Sequence, residues 1–203
     1  PCPNDVAIVT VTENQPPIAG ADGVLTVCST SGTTALFTLL AGAQAGGTWT
    51  APGGVAHSGT YDPALNASGV YTYTLIATAP CVNDAATVTV TENAATNAGT
   101  NGSLAICDNG AASALFTQLG GAPQAGGAWS GPSAVVGGNY DPATMTAGVY
   151  TYTVTGVAPC ANASATVTVT ENAATNAGAN GSLTLCSNGA SVALSTGLGG
   201  APQ

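Results

Sequence analysis

No lysine and no arginine occurs anywhere in the 203 residues, and there is a single histidine. Nothing in the chain can neutralise phosphates, so nucleic acid is excluded as a partner of the ordinary electrostatic kind. There is no basic patch for an anionic membrane, and no lysine for a Schiff base or an isopeptide crosslink. Charged residues make up only 4% of the chain and all nine of them are acidic, for a formal charge of −9. Any electrostatic partner must therefore be cationic, such as calcium or a basic surface. No apolar run reaches the length needed for a transmembrane helix, and Pro1 opens no signal-peptide pattern. Low charge and 28 glycines could describe disorder. Alternating Val and Thr, spaced Trp and Tyr, and paired cysteines argue against it.

The chain repeats itself. Cys2, Cys81 and Cys160 are evenly spaced, and Cys28, Cys107 and Cys186 follow the same step. The stretch TVTVTENAATNAG at Thr87–Gly99 returns unchanged at Thr166–Gly178. AGG-x-W recurs at Trp49 and Trp129, YDPA at Tyr61 and Tyr140, and GVYTYT at Gly69 and Gly148. In this frame residues 1–14 read as the last strand of a preceding copy. Residues 15–93 and 94–172 are two whole copies, and 173–203 open a third that lacks its tryptophan. Both ends are expected to be cuts through a longer array.

One copy reads as an all-β sandwich. Ser103–Cys107 is a short strand after an Asn-Gly turn signal, and Ala114–Leu119 a strand running into one helical turn. A strand surrounds Trp129. Gly148–Thr155 alternates, with Tyr150, Tyr152 and Val154 on one side and threonines on the other, and Ala165–Thr170 does the same with Val167 and Val169 inward. About seven short strands in such a length fit a sandwich. So small a domain is marginal alone and invites a disulfide. If Cys107 and Cys160 end the second and sixth strands, they lie at one pole, which predicts Cys28–Cys81 and Cys107–Cys160 and roughly 4 kcal/mol from each closed loop. The rival pairing, Cys81–Cys107, would have to span about one domain length, beyond bridging distance. Cysteines at a fixed pitch imply an oxidising, extracytoplasmic compartment.

The order NAG-x-NGSL-x-x-C, LF-x-x-L-GG, AGG-x-W-x-GP, YDPA, AGVYTYTVT, PC and TVTVTEN resembles the immunoglobulin-like or PKD-like repeats of large cell-surface proteins of Bacteroidota. The resemblance covers essentially the whole chain. It implies tandem immunoglobulin-like sandwiches arranged end to end, on the cell surface, of the kind found in long adhesins. These include gliding-motility adhesins exported by the type IX secretion system. The function it implies is a stalk or fibre body projecting a distal binding tip, with neighbouring repeats as partners. Two other roles compete: a repeated weak site for surface glycans acting by avidity, and a filament subunit that associates with copies of itself. Ser68-Gly-Val-Tyr-Thr-Tyr73 is similar to the sixth-strand motif of antibody domains, but here the cysteine lies further along, at Cys81.

No residue set suggests catalysis, and no enzymatic activity is expected. His57 stands near Ser58 and Asp62, but the matching place in the second copy is Val136, so a solvated loop histidine is expected rather than a triad. Cysteine spacing does not suit zinc. Asp22, Asp62, Asp108 and Asp141 sit in turns, where turn chemistry is the first reading and calcium the alternative; no cofactor is expected. Trp49, Trp129, Tyr71, Tyr73, Tyr150 and Tyr152 read as core aromatics, with sugar stacking as the alternative for the tryptophans. The threonines 87, 89 and 91 and 166, 168 and 170 read as the outer face of strands rather than an ice-binding surface. Glu92 and Glu171 recur singly, without a second carboxylate for glycosidase chemistry. Asn66, Asn101, Asn162 and Asn180 begin sequons that turn geometry also explains.

Overall fold

The computed structural model describes residues 1–200. The described chain is all-β, with three short 3-10 turns and no α-helix. It divides into two compact units, Pro1–Thr96 with Thr155–Asn162, and Asn97–Val154 with the chain from Ala163 onward.

The first unit holds seven strands: β1 (Gly23–Cys28), β2 (Thr34–Ala35), β3 (Thr48–Thr50), β4 (Ala56–His57), β5 (Thr60–Tyr61), β6 (Gly69–Leu75) and β7 (Asp84–Asn93). Five form one sheet in the order β1-β7-β6-β3-β4, and β2 pairs with β5 in a separate ladder. Alternation decides the faces. Tyr71, Tyr73 and Leu75 of β6 and Ala86, Val88 and Val90 of β7 are buried, while the intervening threonines face outward. Leu36 of the 3-10 turn Leu36–Leu39 and Tyr61 of β5 complete the core over that face.

The second unit builds the same sheet from β8 (Gly102–Cys107), β10 (Ala128–Ser130), β12 (Gly148–Val154) and β13 (Ala163–Asn172), in the order β10-β12-β13-β8. Its small ladder is β9 (Ser113–Ala114) with β11 (Asn139–Tyr140). It has no counterpart of β4. The strand running into a helical turn is found as β9 followed by the 3-10 turn Phe116–Gln118.

At the two ends only part of the repeat's ladder pattern is present among the described residues. Residues 1–14 form no strand, although Val9 and Val11 stand where β7 has the buried Val88 and Val90. A strand exists only beside another, and no strand among the described residues pairs with this segment. Residues 173–200 reproduce only a bridge, Ala179 with Gly199, and the 3-10 turn Leu194–Gly197.

Strand order overturns the expected disulfides. β1 runs parallel to β7 with Cys28 beside Asn93, and β8 runs parallel to β13 with Cys107 beside Asn172. The early strand therefore runs against β6 or β12, not with it. Cys107 sits at the end of β13 and Cys160 just before its start. That puts roughly 30 Å of strand between them, for ten residues at about 3.3 Å each. Neither Cys28–Cys81 nor Cys107–Cys160 can close, and neither forms. The bond observed is Cys28–Cys160, with a sequence separation of 132. Cys2, Cys81, Cys107 and Cys186 are free thiols.

Candidate functional site

The disulfide lies within the first unit, where Thr155–Asn162, the connection between β12 and β13, packs with the ends of β1 and β7. Asn93 at the end of β7 holds that connection: its side-chain amide donates to Ala158 O at 2.8 Å. Thr96 Oγ1 donates to Ala161 O at 2.8 Å. Cys160 Sγ lies 3.3 Å from Asn93 O. Ser29, just past Cys28, donates its N–H to Asn93 O and accepts the N–H of Ala95 on its hydroxyl. Both cysteines are buried. The closure thus joins the first strand of one repeat to the last hairpin of the repeat that follows in sequence.

Half of the same arrangement recurs one repeat earlier in the chain. Asn14 Nδ2 donates to Ala79 O at 2.9 Å, and Cys81 Sγ lies 3.3 Å from Asn14 O. Sequence reasoning missed both asparagines. The signal is nonetheless there: the TEN asparagine and the cysteine it holds keep one separation, Asn14 to Cys81 and Asn93 to Cys160.

A second repeated feature is a tyrosine–glutamate pair. Tyr61 is fully buried and donates to Glu92 Oε2 at 2.8 Å; Tyr140, also fully buried, donates to Glu171 Oε1. Burial and the adjacent carboxylate push both phenols well above their ordinary range. Read locally, these tyrosines only open turns and their glutamates are solitary acids. The available clue is that the YDPA tyrosine and the TEN glutamate keep the same separation in both copies.

The expected core aromatics divide. Tyr71, Tyr73, Tyr150 and Tyr152 are buried, and Tyr73 and Tyr152 also bind the turns before the tryptophans: Gly47 N–H and Gly127 N–H donate to their hydroxyls at 2.7 Å. Trp49 is buried, covered by the turn at Gly59. Trp129 is only half-buried and, with Phe116, Tyr152 and the neighbouring glycines, lines an open apolar groove in the second unit. The difference follows from β4, which pairs with Trp49 and has no counterpart beside Trp129.

His57 is not a solvated loop residue. It belongs to β4, its ring packs 4.8 Å from that of Tyr71, and its Nδ1 accepts the Gly59 N–H. Ser58 and Asp62 accept backbone N–H groups of their own turns, so the three are not linked as a triad. Among the described residues no group of three or more His, Cys, Asp or Glu could hold a metal ion. Side-chain oxygens of Asn66, Asn101 and Asn162 accept backbone N–H groups, as turn asparagines do. On the outer faces exposed Val70 and Val149 sit opposite Thr89 and Thr168, so the threonine rows are interrupted. No described helix is long and apolar enough to cross a membrane. No protein-family model and no curated protein matches the chain.

Proposed function

We propose that the chain is a load-bearing segment of an extracellular fibre, built from immunoglobulin-like sandwich repeats set end to end as the stalk of a surface adhesin. The observation that carries this reading is the Cys28–Cys160 bond. It links successive repeats covalently. A pull applied at the two ends of the chain passes through that bond, and residues 29–159 are bypassed. Buried disulfides suit an oxidising, extracellular setting. A surface without lysine or arginine offers trypsin no site.

Single-molecule extension tests the reading. The bonded cysteines are separated by 132 in sequence. At roughly 3.3–3.6 Å per extended residue the bypassed loop holds about 430–480 Å of hidden length. The oxidised chain should never release that length, and the reduced chain should release all of it. Release of the full length from the oxidised chain would refute the load-bearing role.

The Trp129 groove favours a second reading, a weak glycan-stacking site in the second repeat. If Trp129→Ala abolishes adhesion to a glycan surface while the fold survives, that reading takes precedence over the stalk.

A further inference from the structure

The loop 133–139 of the second unit borders two concavities. Gly137 and Gly138 line the Trp129 groove. Ser133, Val136 and Asn139 line a second cavity of about 450 Å³, a size typical of small-ligand sites, together with Asp141, Thr144 and Met145. Asp141 is the only charged residue lining it among those described. Its Oδ1 accepts Ala143 N–H at 3.0 Å, while Oδ2 accepts no hydrogen bond among the described residues. Asn139 and Thr144 make no side-chain hydrogen bond among the described residues. The Ser133 hydroxyl accepts Thr146 N–H at 2.9 Å and keeps its own proton to donate. Val136 and Met145 supply an apolar side, with the Met145 sulfur accepting Asp141 N–H at 3.3 Å. This set belongs to the second copy. Across the repeat Thr60 stands for Asn139, Leu65 for Thr144 and Asn66 for Met145, and Asn66 turns its side-chain oxygen onto Asp62 N–H. The cavity does not owe its opening to a chain end. In the first unit, which includes Thr155–Asn162 of the next copy, Leu65 is still 81% exposed.

We propose that this cavity binds an amino sugar through its protonated amine. The ammonium group donates to Asp141 Oδ2, the one charge in the lining. An anionic sugar is disfavoured, because no lysine or arginine exists to meet it and the formal charge is −9. Asn139 offers both a donor and an acceptor, and Ser133 and Thr144 offer hydroxyls, which suits a ring bearing several hydroxyl groups rather than an alkylamine. Val136 and Met145 meet the C–H face of the ring. A bare divalent cation fits poorly: calcium takes roughly six to eight oxygen ligands, and here one carboxylate stands beside a valine and a thioether. The choice of a sugar among hydroxylated amines rests on the glycan reading of the Trp129 groove, which shares this loop. A glycan lying across the loop would stack one unit on Trp129 and set its aminated neighbour against Asp141. The preference for an ammonium group stands on the Asp141 cavity and does not need the groove.

The experiment titrates the full nitrogen-15-labelled chain with glucosamine, glucose, N-acetylglucosamine and cyclohexylamine at constant ionic strength, following backbone amides. Glucosamine should shift Asn139, Thr144 and Thr146. Glucose and N-acetylglucosamine lack the charged donor and should bind about tenfold more weakly. Cyclohexylamine carries the charge without the hydroxyls and should also bind more weakly. Asp141→Asn keeps an oxygen for Ala143 N–H and should lose the preference for glucosamine over glucose. Asp62→Asn changes the net charge equally in the other repeat and should keep it. No shift at the cavity, an unchanged preference in Asp141→Asn, or an equal loss in Asp62→Asn would each overturn the proposal. Cyclohexylamine binding as tightly as glucosamine would overturn the sugar assignment. Trp129→Ala should leave the glucosamine titration unchanged, and loss of binding there would overturn the Asp141 cavity as the amine's site. Adhesion of that variant to a glycan surface decides the stacking reading by itself, so the two fail separately.

Discussion

Replacing Cys28 or Cys160 by alanine should destabilise the protein by about 2–5 kcal/mol. The upper value comes from chain entropy. Closing a loop between residues 132 apart removes about 17 cal/mol/K from the unfolded chain, or about 5 kcal/mol at 25 °C. A bond between Cys28 and Cys81 would close a loop less than half as long. Because the entropy depends on the logarithm of length, that bond would still contribute about 4 kcal/mol. Total stability therefore does not discriminate between the pairings, and the pattern across single variants does. With the observed bond, Cys28→Ala and Cys160→Ala should fall together. Cys81→Ala and Cys107→Ala should stay within about 0.5 kcal/mol of the parent, as other changes at free, incompletely buried positions do.

The assay is urea unfolding of dilute protein whose free thiols have been alkylated, so that no intermolecular bond forms. Tryptophan fluorescence follows it, since Trp49 reports on the first unit and Trp129 on the second. In a chain of this length the loss corresponds to roughly 5–20 °C in Tm. If Cys81→Ala costs as much as Cys28→Ala, or Cys160→Ala pairs in its effect with Cys107→Ala, the strand-order reasoning is wrong. A peptide map from cleavage before each aspartate and after each glutamate, carrying a 22–61 to 62–83 bond in place of 22–61 to 141–171, would show the same thing directly.

Alkaline unfolding should be governed by Tyr61 and Tyr140. Their folded pKa values are raised above the ordinary 10, so the stability they protect is whole below pH 10 and is lost as pH climbs beyond it. The expected slope is about 1.4 kcal/mol per pH unit per tyrosine, read from urea midpoints between about pH 9 and 11.5; a flat profile there would remove the buried-phenol account. Gly47→Ala should cost about 2 kcal/mol or more, because a Cβ there would lie 2.5 Å from the Tyr73 ring and 2.6 Å from Thr74 O. Gly32→Ala, with open space around it, should be neutral in the same melt. Acrylamide should quench Trp129 in a Trp49→Phe variant more strongly than Trp49 in a Trp129→Phe variant. Equal quenching would mean that β4 does not set the difference in cover.

Periodicity carries most of the fold. Val-Thr alternation places β6, β7, β12 and β13 and their buried faces, because a half-buried strand has only one way to satisfy a period of two. Leu115, Phe116 and Leu119 are legible as a strand turning helical, since their spacing suits neither element alone. Strand order is not legible. Nothing local in GVLTVC or GSLAIC says that it joins the last strand in parallel rather than the next in antiparallel fashion, and that choice sends the two cysteines of a repeat to opposite ends of a sheet. The tyrosine–glutamate and asparagine–hairpin contacts are hidden for a related reason. Each joins positions 31 or 65 apart through a single hydrogen bond, with no local pattern to mark it. Residues 1–14 share the Val-Thr propensity of β7 but form no ladder in the described chain, because propensity without a neighbouring strand does not make one.

The absence of cations becomes intelligible once the carboxylates are followed to their donors. Asp22 accepts Thr87 N–H, Asp84 accepts Ala19 N–H, Asp108 accepts Ala174 N–H, and Asp62 and Asp141 accept N–H groups two residues on. Glu92 and Glu171 accept tyrosine hydroxyls. In each case a neutral donor does the work that a lysine or arginine performs elsewhere. The repeat makes the point sharper, because the acceptor is kept where the charge is not. Asn101 takes the place of Asp22 and binds Thr166 N–H, while Ser29 takes the place of Asp108 and binds Ala95 N–H. A position that tolerates Asn or Ser for Asp is selected for a hydrogen-bond acceptor, not for a negative ligand, which argues against a calcium role for these turns. The acids are turn chemistry in a chain whose surface is otherwise neutral. Cohesion along such a chain cannot come from ion pairs and has to come from strand registers and from sulfur, which is where the Cys28–Cys160 bond sits.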